Sequence, residues 1–190
     1  MKAIACLVAM IVLLSLAAIA CGTGGKSSQE QASDILNRGL QAHVDGRIDE
    51  AAADYREVLK KDPNNKFAYY NLGVIDQTAD RASQAENNYR LVLNIDPDYG
   101  PALYNLAILR SHAGSTQEAI DLYRHAIKVN DADANAHYNL GLLLRNSGQV
   151  AAGDAEVANA RQLDAKLPPP PPLSPAAGAT PAATATTSPG

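Results

Sequence analysis

The sequence predicts an all-α fold, namely an α-solenoid of four stacked helix-turn-helix repeats forming a small right-handed superhelix. The first observation is an internal period of 34 residues between positions 32 and 165. The second is an apolar spacing of three and four residues in each unit, without the alternation of a β-strand. Four series recur at the 34-residue interval: Gly39, Gly73, Ala107, Gly141; Asp62, Asp96, Asn130, Asp164; Asn37, Asn71, Asn105, Asn139; and Tyr55, Tyr89, Tyr123, Val157.

Each unit is predicted to contain two helices joined by a tight turn. In the second unit, Tyr70 and Val74 follow one helical face, and Ala85 and Tyr89 follow another. Glycine suits a left-handed helix stop, and three of the turns contain one: Gly46, Gly114 and Gly148. The predicted repeats are 32–65, 66–99, 100–133 and 134–165.

The second unit carries an aromatic residue, Leu-Gly, Ala-x3-Tyr and Pro, at Tyr69, Leu72, Gly73, Ala85, Tyr89 and Pro97. This pattern resembles the tetratricopeptide repeat (TPR) family. The first unit has Arg38 in place of the leucine. The fourth unit departs furthest, with Gly153, Val157 and Ala165 in place of Ala, Tyr and Pro. Terminal units of a repeat array are expected to be atypical because they have a neighbour on one side only.

The N-terminal end is predicted to be an export signal. Lys2 precedes an apolar run over 3–20 that ends in Ala18-Ile19-Ala20, directly before Cys21. The run resembles a bacterial lipoprotein signal peptide, which implies a diacylglyceryl lipid carrying fatty acids such as palmitate on Cys21. Ordinary cleavage before an unmodified cysteine and an uncleaved anchor are the alternatives. The resemblance implies an exported protein on the periplasmic face of the outer membrane or the outer leaflet of the cytoplasmic membrane.

Two further segments flank the predicted repeat domain, which spans 32–165. Residues 21–31 are expected to form a lipid-anchored flexible linker because they are rich in Gly and Ser. Residues 166–190 are rich in Pro, Ala and Thr and are expected to be a disordered tail, since they can bury little apolar surface.

Composition and motifs argue against catalysis. With 16 Lys and Arg against 20 Asp and Glu, the net charge is −4, which disfavours nucleic-acid binding. Gly25-Lys26-Ser27 resembles the end of a phosphate-binding loop, but Ala20 stands where that motif needs glycine. The four histidines form no metal-binding motif, and carboxylates such as Glu118 are scattered in the manner of a solvated face. We therefore expect no enzyme activity, cofactor or metal.

The family resemblance implies that the first helix of each pair lines a concave peptide-binding surface. The candidate peptide-binding residues are Asn37, Asn71, Asn105, Asn139, Tyr70, Tyr104 and Tyr138. An amide can donate to and accept from a peptide backbone, and tyrosine offers a large, rigid contact. Packing between repeats is the alternative role for these residues. Basic residues are missing where some relatives clamp a carboxylate, so an apolar or neutral segment is favoured.

The sequence thus predicts a non-enzymatic protein–protein interaction scaffold, a TPR lipoprotein that binds an extended segment of another envelope protein. One alternative is an accessory or regulatory subunit of a cell-envelope or glycan-processing enzyme assembly. The other is a self-associating structural spacer.

Overall fold

The computed structural model describes residues 26–173, so the predicted signal peptide, Cys21 and residues 174–190 lie outside the described residues. The described part contains eight helices and no strand, which confirms the all-α prediction. No helix within it is long and apolar enough to cross a bilayer. The helices are α1 (Ser28–Val44), α2 (Ile48–Lys61), α3 (Lys66–Thr78), α4 (Ala82–Ile95), α5 (Gly100–His112), α6 (Thr116–Val129), α7 (Ala134–Asn146) and α8 (Val150–Leu163).

The chain divides into two compact units, and the first ends at Ala68. Its helix α1 starts with a capping box, in which Ser27 Oγ accepts from the Glu30 amide at 3.2 Å and Glu30 Oε2 accepts from the Ser27 amide at 2.7 Å. The predicted flexible linker over 21–31 is therefore wrong from Ser28 onward. Helices α1 and α2 approach closely at Gly39, where a Cβ atom would lie 2.9 Å from the buried ring of Tyr55.

The second unit begins at Tyr69 and contains the rest of α3 and helices α4 to α8. Within it, α5 packs on α4, α7 packs on α6, and the pairs α5–α6 and α7–α8 pack internally. Two buried clusters join consecutive repeats: Ala85, Tyr89, Val92, Ala102 and Leu106; and Ala107, Ile120, Tyr123, Leu140 and Leu144. Because each cluster draws on two repeats, the apolar face of one helix pair is buried by the next pair.

The turns inside the four helix pairs share one backbone conformation. Gly46 and Gly114 have φ of 76°, and Gly148 has φ of 86°. These positive angles confirm the predicted glycine stops. In the second pair the same role falls to Asp80, at φ 55°, which is the one non-glycine residue with positive φ among the described residues.

The turns that end the four repeats also share one hydrogen-bonding pattern. At Asp62, Asp96, Asn130 and Asp164, the side-chain oxygen accepts the amide two residues on, at 3.3, 3.2, 3.3 and 2.9 Å. The backbone carbonyl of each accepts the amide three residues on, at 3.2, 3.2, 3.3 and 3.2 Å. This pair of hydrogen bonds explains why Asp or Asn recurs at these positions, since the turn needs a short side chain with an oxygen acceptor.

Carboxylates on the second helices do more than form a solvated face. Arg110 on α5 lies between two of them, with Nε 2.7 Å from Glu118 Oε2 and Nη1 3.1 Å from Glu86 Oε2. Arg90 Nη2 also lies 2.7 Å from Glu118 Oε1. Hydrogen bonding to Arg90 and Arg110 lowers the pKa of Glu118. Glu118 is therefore half-buried in an ion-pair network and is not an isolated carboxylate on a solvated face, because Arg90 and Arg110 lie against it.

Candidate functional site

A network of asparagine and tyrosine side chains links the first helices of the second unit. Asn105 on α5 donates from Nδ2 to the hydroxyls of Tyr89 at 3.3 Å and Tyr70 at 3.4 Å. Asn139 on α7 donates from Nδ2 to the hydroxyl of Tyr104 at 2.9 Å. Each asparagine thus binds a tyrosine of the preceding repeat, and we call these five residues the Tyr–Asn network.

The Tyr–Asn network gives the amide nitrogens a packing role. Within residues 26–173, the side-chain carbonyls of Asn105 and Asn139 accept no hydrogen bond, and both residues are half-buried. A carbonyl oxygen held in place by its own amide nitrogen can accept a peptide N–H. Packing between repeats and recognition of a peptide are therefore compatible at these residues. Peptide binding by them stays a prediction.

The tyrosines of the network are neutral donors and acceptors. The Tyr89 hydroxyl donates to Gln77 Oε1 at 2.7 Å while it accepts from Asn105. Burial raises the pKa of Tyr70, Tyr89 and Tyr104 above the usual tyrosine value. The rings also contact other tyrosines, with Tyr70 edge-on to Tyr99 at a centroid distance of 5.4 Å.

Two of the predicted site residues, Asn37 and Tyr138, lie outside the Tyr–Asn network of the described residues. Tyr138 is half-buried on α7, and its hydroxyl forms no hydrogen bond within the described residues. Asn71 is half-buried on α3, whereas Asn37 is exposed on α1. The first repeat also has Leu36 where later repeats have Tyr70, Tyr104 and Tyr138, so the tyrosine–asparagine pattern is incomplete there.

Three open depressions flank α5. The first, of about 420 Å³, lies among Tyr70, Pro101, Tyr104, Asn105 and Val129. The second, of about 250 Å³, includes Ile108, Ser111, Asn139 and Leu142. The third, of about 430 Å³, includes Gln77, Ile108 and His112. No lysine or arginine lines any of the three, whereas Asp133 lines the first and Asp80 the third, so they offer apolar, neutral polar and acidic contacts.

His137, near the start of α7, is buried and packs against neighbouring elements. It is 5% exposed, with Nδ1 2.6 Å from Glu156 Oε2 and Nε2 3.1 Å from the carbonyl oxygen of Asp131. These contacts tie α7 to α8 and to the preceding turn. In the part of the chain that the structure describes, no three His, Cys, Asp or Glu residues are arranged to hold a metal ion.

The helix pairs, their shared clusters and the repeated turns define the fold as an all-α tetratricopeptide repeat solenoid. In agreement, one TPR family model matches residues 44–76 and 112–148, and a second matches residues 68–99. The chain therefore contains tetratricopeptide repeats. A comparison with curated proteins found no significant sequence match.

Solved structures with the same fold include three named proteins. MamA is 20% identical over 71% of this chain and 79% of its own, with a TM-score of 0.65. YrrB, described as a TPR protein with an unusual peptide-binding site, is 20% identical over 69% of this chain and 68% of its own, with a TM-score of 0.63. PilF of Pseudomonas aeruginosa is 22% identical over 75% of this chain and 65% of its own, with a TM-score of 0.65. At these identities the likeness concerns the fold.

Proposed function

We propose that the chain is a non-enzymatic scaffold that binds an extended peptide segment of another protein. The observation that carries this proposal is the pair of depressions lined by residues of the Tyr–Asn network, one by Tyr70, Tyr104 and Asn105 and the other by Asn139. TPR proteins are generally non-catalytic scaffolds, and YrrB supplies a case in which the same fold has a peptide-binding site.

The chemistry of the depressions favours an apolar or neutral segment. Ile108 and Leu142 supply apolar walls, and Pro101 and Val129 do the same in the depression beside Tyr70. The carbonyls of Asn105 and Asn139 supply acceptors at a spacing of one repeat. An apolar or neutral segment would satisfy both features, because burying an unpaired charge against these walls is costly. The carboxylates of Asp133 and Asp80 at two of the depressions further disfavour an acidic segment.

We further propose that the scaffold stands on a membrane through a lipid on Cys21 and binds an envelope protein. The support is the sequence alone, namely the apolar run over 3–20 that ends at Cys21. Replacement of Cys21 by Ser is expected to release the chain from the membrane fraction. Membrane association that persists after this change would favour an uncleaved helical anchor.

Site-specific photo-crosslinking tests the binding face. A photoreactive amino acid in place of Leu142, which lines a depression, is expected to give one discrete protein adduct in cells. The matched control carries the same amino acid in place of Lys128, which is exposed on the second helix α6. An identical adduct from both sites, or none from Leu142, would count against the proposed face.

The identity of the adduct separates the possible roles. A non-catalytic envelope protein supports the scaffold, an enzyme supports an accessory subunit, and a second copy of this chain supports a structural spacer.

Once the partner is identified, substitutions test the binding residues. Asn71→Ala combined with Asn105→Ala is expected to abolish binding while the circular dichroism of the helices is retained. Leu142→Asp should weaken binding about tenfold or more, since it places a charge against an apolar wall.

A further inference from the structure

The fourth repeat ends as if a fifth repeat were to follow. Helices α3, α5 and α7 begin at Lys66, Gly100 and Ala134, so the period places the next first helix at Pro168. The turn that precedes each first helix is also complete at Asp164, with both of its hydrogen bonds. Five successive prolines from Pro168 onward then prevent a helix, because each lacks the N–H that a helix requires.

The segment that takes this place, which we call the C-terminal strap (167–173), is held by two arginines. Arg161 Nε donates to the carbonyl of Leu167 at 3.3 Å, and Arg145 Nη2 donates to the carbonyl of Pro171 at 3.0 Å. A run of prolines has carbonyl acceptors but no backbone donors, so a side chain rich in N–H groups is its natural partner. The predicted disorder of 166–190 is therefore wrong for these described residues.

Arg145 is a largely buried arginine on α7. Its side chain is only 11% exposed, and Nη1 is paired with Asp154 of α8. Its stem crosses α8 over Gly153, where a Cβ atom would lie 2.6 Å from Arg145 Cγ. The second and third repeats have Ala85 and Ala119 at this position. The glycine of the fourth repeat admits both the arginine stem and the α7 backbone, since a Cβ atom there would also lie 2.6 Å from the Gly141 carbonyl oxygen.

Two further departures of the fourth repeat fit the same arrangement. In the second repeat the counterpart of Arg145 is Gln77, which is occupied by the hydroxyl of Tyr89. Val157 replaces that tyrosine and has no hydroxyl, so the side chain at position 145 has no such partner in the fourth repeat. Arg161 in turn replaces the apolar residues that pack against the following repeat, Leu93 and Ile127.

From these contacts we infer that Arg145, together with Gly153 and Arg161, forms a binding site for an extended, proline-rich segment, occupied by the chain's own residues 167–173. The strap substitutes for a fifth first helix and closes the repeat array. The short turn at Asp164 tethers the strap beside its site, so the intramolecular ligand has a high effective concentration.

A double-mutant cycle on the full chain tests this site. One change is Arg145→Ala, the other is a stop after Lys166, and the readout is amide hydrogen exchange in α7 and α8. Each change alone is expected to accelerate exchange about tenfold, since the charge-assisted hydrogen bond from Arg145 to Pro171 is lost. In the shortened chain Arg145→Ala should add about threefold or less, from the half-exposed pair with Asp154.

Two further variants serve as controls for loss of the helix and for a general effect of removing an arginine. Arg145→Gln keeps much of the stem and restores the residue type of Gln77, so it should reproduce the loss without collapse of α7. Arg124→Ala, at an exposed arginine of α6, should have the same effect in both chain lengths. The inference is overturned if removal of the strap leaves exchange in α7 and α8 unchanged, or if the full effect of Arg145→Ala persists without the strap.

Discussion

Removal of the Tyr89 hydroxyl is a direct test of the Tyr–Asn network. Tyr89→Phe keeps the fully buried ring and deletes two hydrogen bonds, one donated to Gln77 at 2.7 Å and one accepted from Asn105 at 3.3 Å. A typical neutral hydrogen bond contributes about 1 kcal/mol net, and the longer bond contributes about half of that. We expect the free energy of unfolding to fall by about 1.5 kcal/mol.

Tyr123→Phe is the matched comparison. In the third repeat Ser111 takes the position of Gln77, and Asn139 is the hydrogen-bonding neighbour of Tyr123. The same substitution should therefore cost about 0.5 kcal/mol there. Urea unfolding followed by circular dichroism would measure both variants. Equal losses, or a loss below about 0.5 kcal/mol for Tyr89→Phe, would refute the assignment of stability to the network.

Three other changes probe the turns and the charged groups. Asp80→Gly should raise the free energy of unfolding by up to about 1 kcal/mol, measured in urea, since glycine adopts positive φ without strain. Glu118→Gln should lower stability more at pH 7 than at pH 3, because the contribution of a carboxylate with a lowered pKa is complete above about pH 4.5 and is lost as the pH falls through the lowered value. Thermal melts at the two pH values would show an equal loss if this reasoning fails. Burial raises the pKa of six described tyrosines above 10.0, namely Tyr55, Tyr70, Tyr89, Tyr99, Tyr104 and Tyr123, and that of Tyr55 to about 12. Stability should therefore be complete below pH 10 and fall as the pH rises toward 12, and unfolding below this range, followed by circular dichroism, would contradict the reasoning.

Much of the fold could be predicted because the sequence repeats itself. One period fixed the number of helix pairs, the small residues at their close approaches and the glycines of their turns. Gly73 is an example, since a Cβ atom there would lie 2.6 Å from Tyr89 Cε1. Positions that recur in three or four units are recognisable because each copy meets the same neighbours.

The candidate site was harder to predict because its details depend on pairs of residues about one repeat apart. The asparagine series identified Asn105 and Asn139, but their bonds to tyrosines 35 residues earlier require knowledge of how the repeats stack. The arginine site of the fourth repeat was missed altogether. The sequence did carry an indication of it, because Arg145, Gly153 and Val157 all differ from the residues at the same positions of the second repeat. Such differences are also expected from the atypical character of a terminal repeat.

The uniform turn at the end of each repeat bears on how this chain can change in length. Insertions or deletions of 34 residues at such a turn would leave the flanking helices with the neighbours that they already prefer. A change of any other length would rotate every later helix away from its partner. Lengthening beyond the fourth repeat would in addition require the prolines after Leu167 to be lost, so a shortened array is the more accessible outcome of recombination within this sequence.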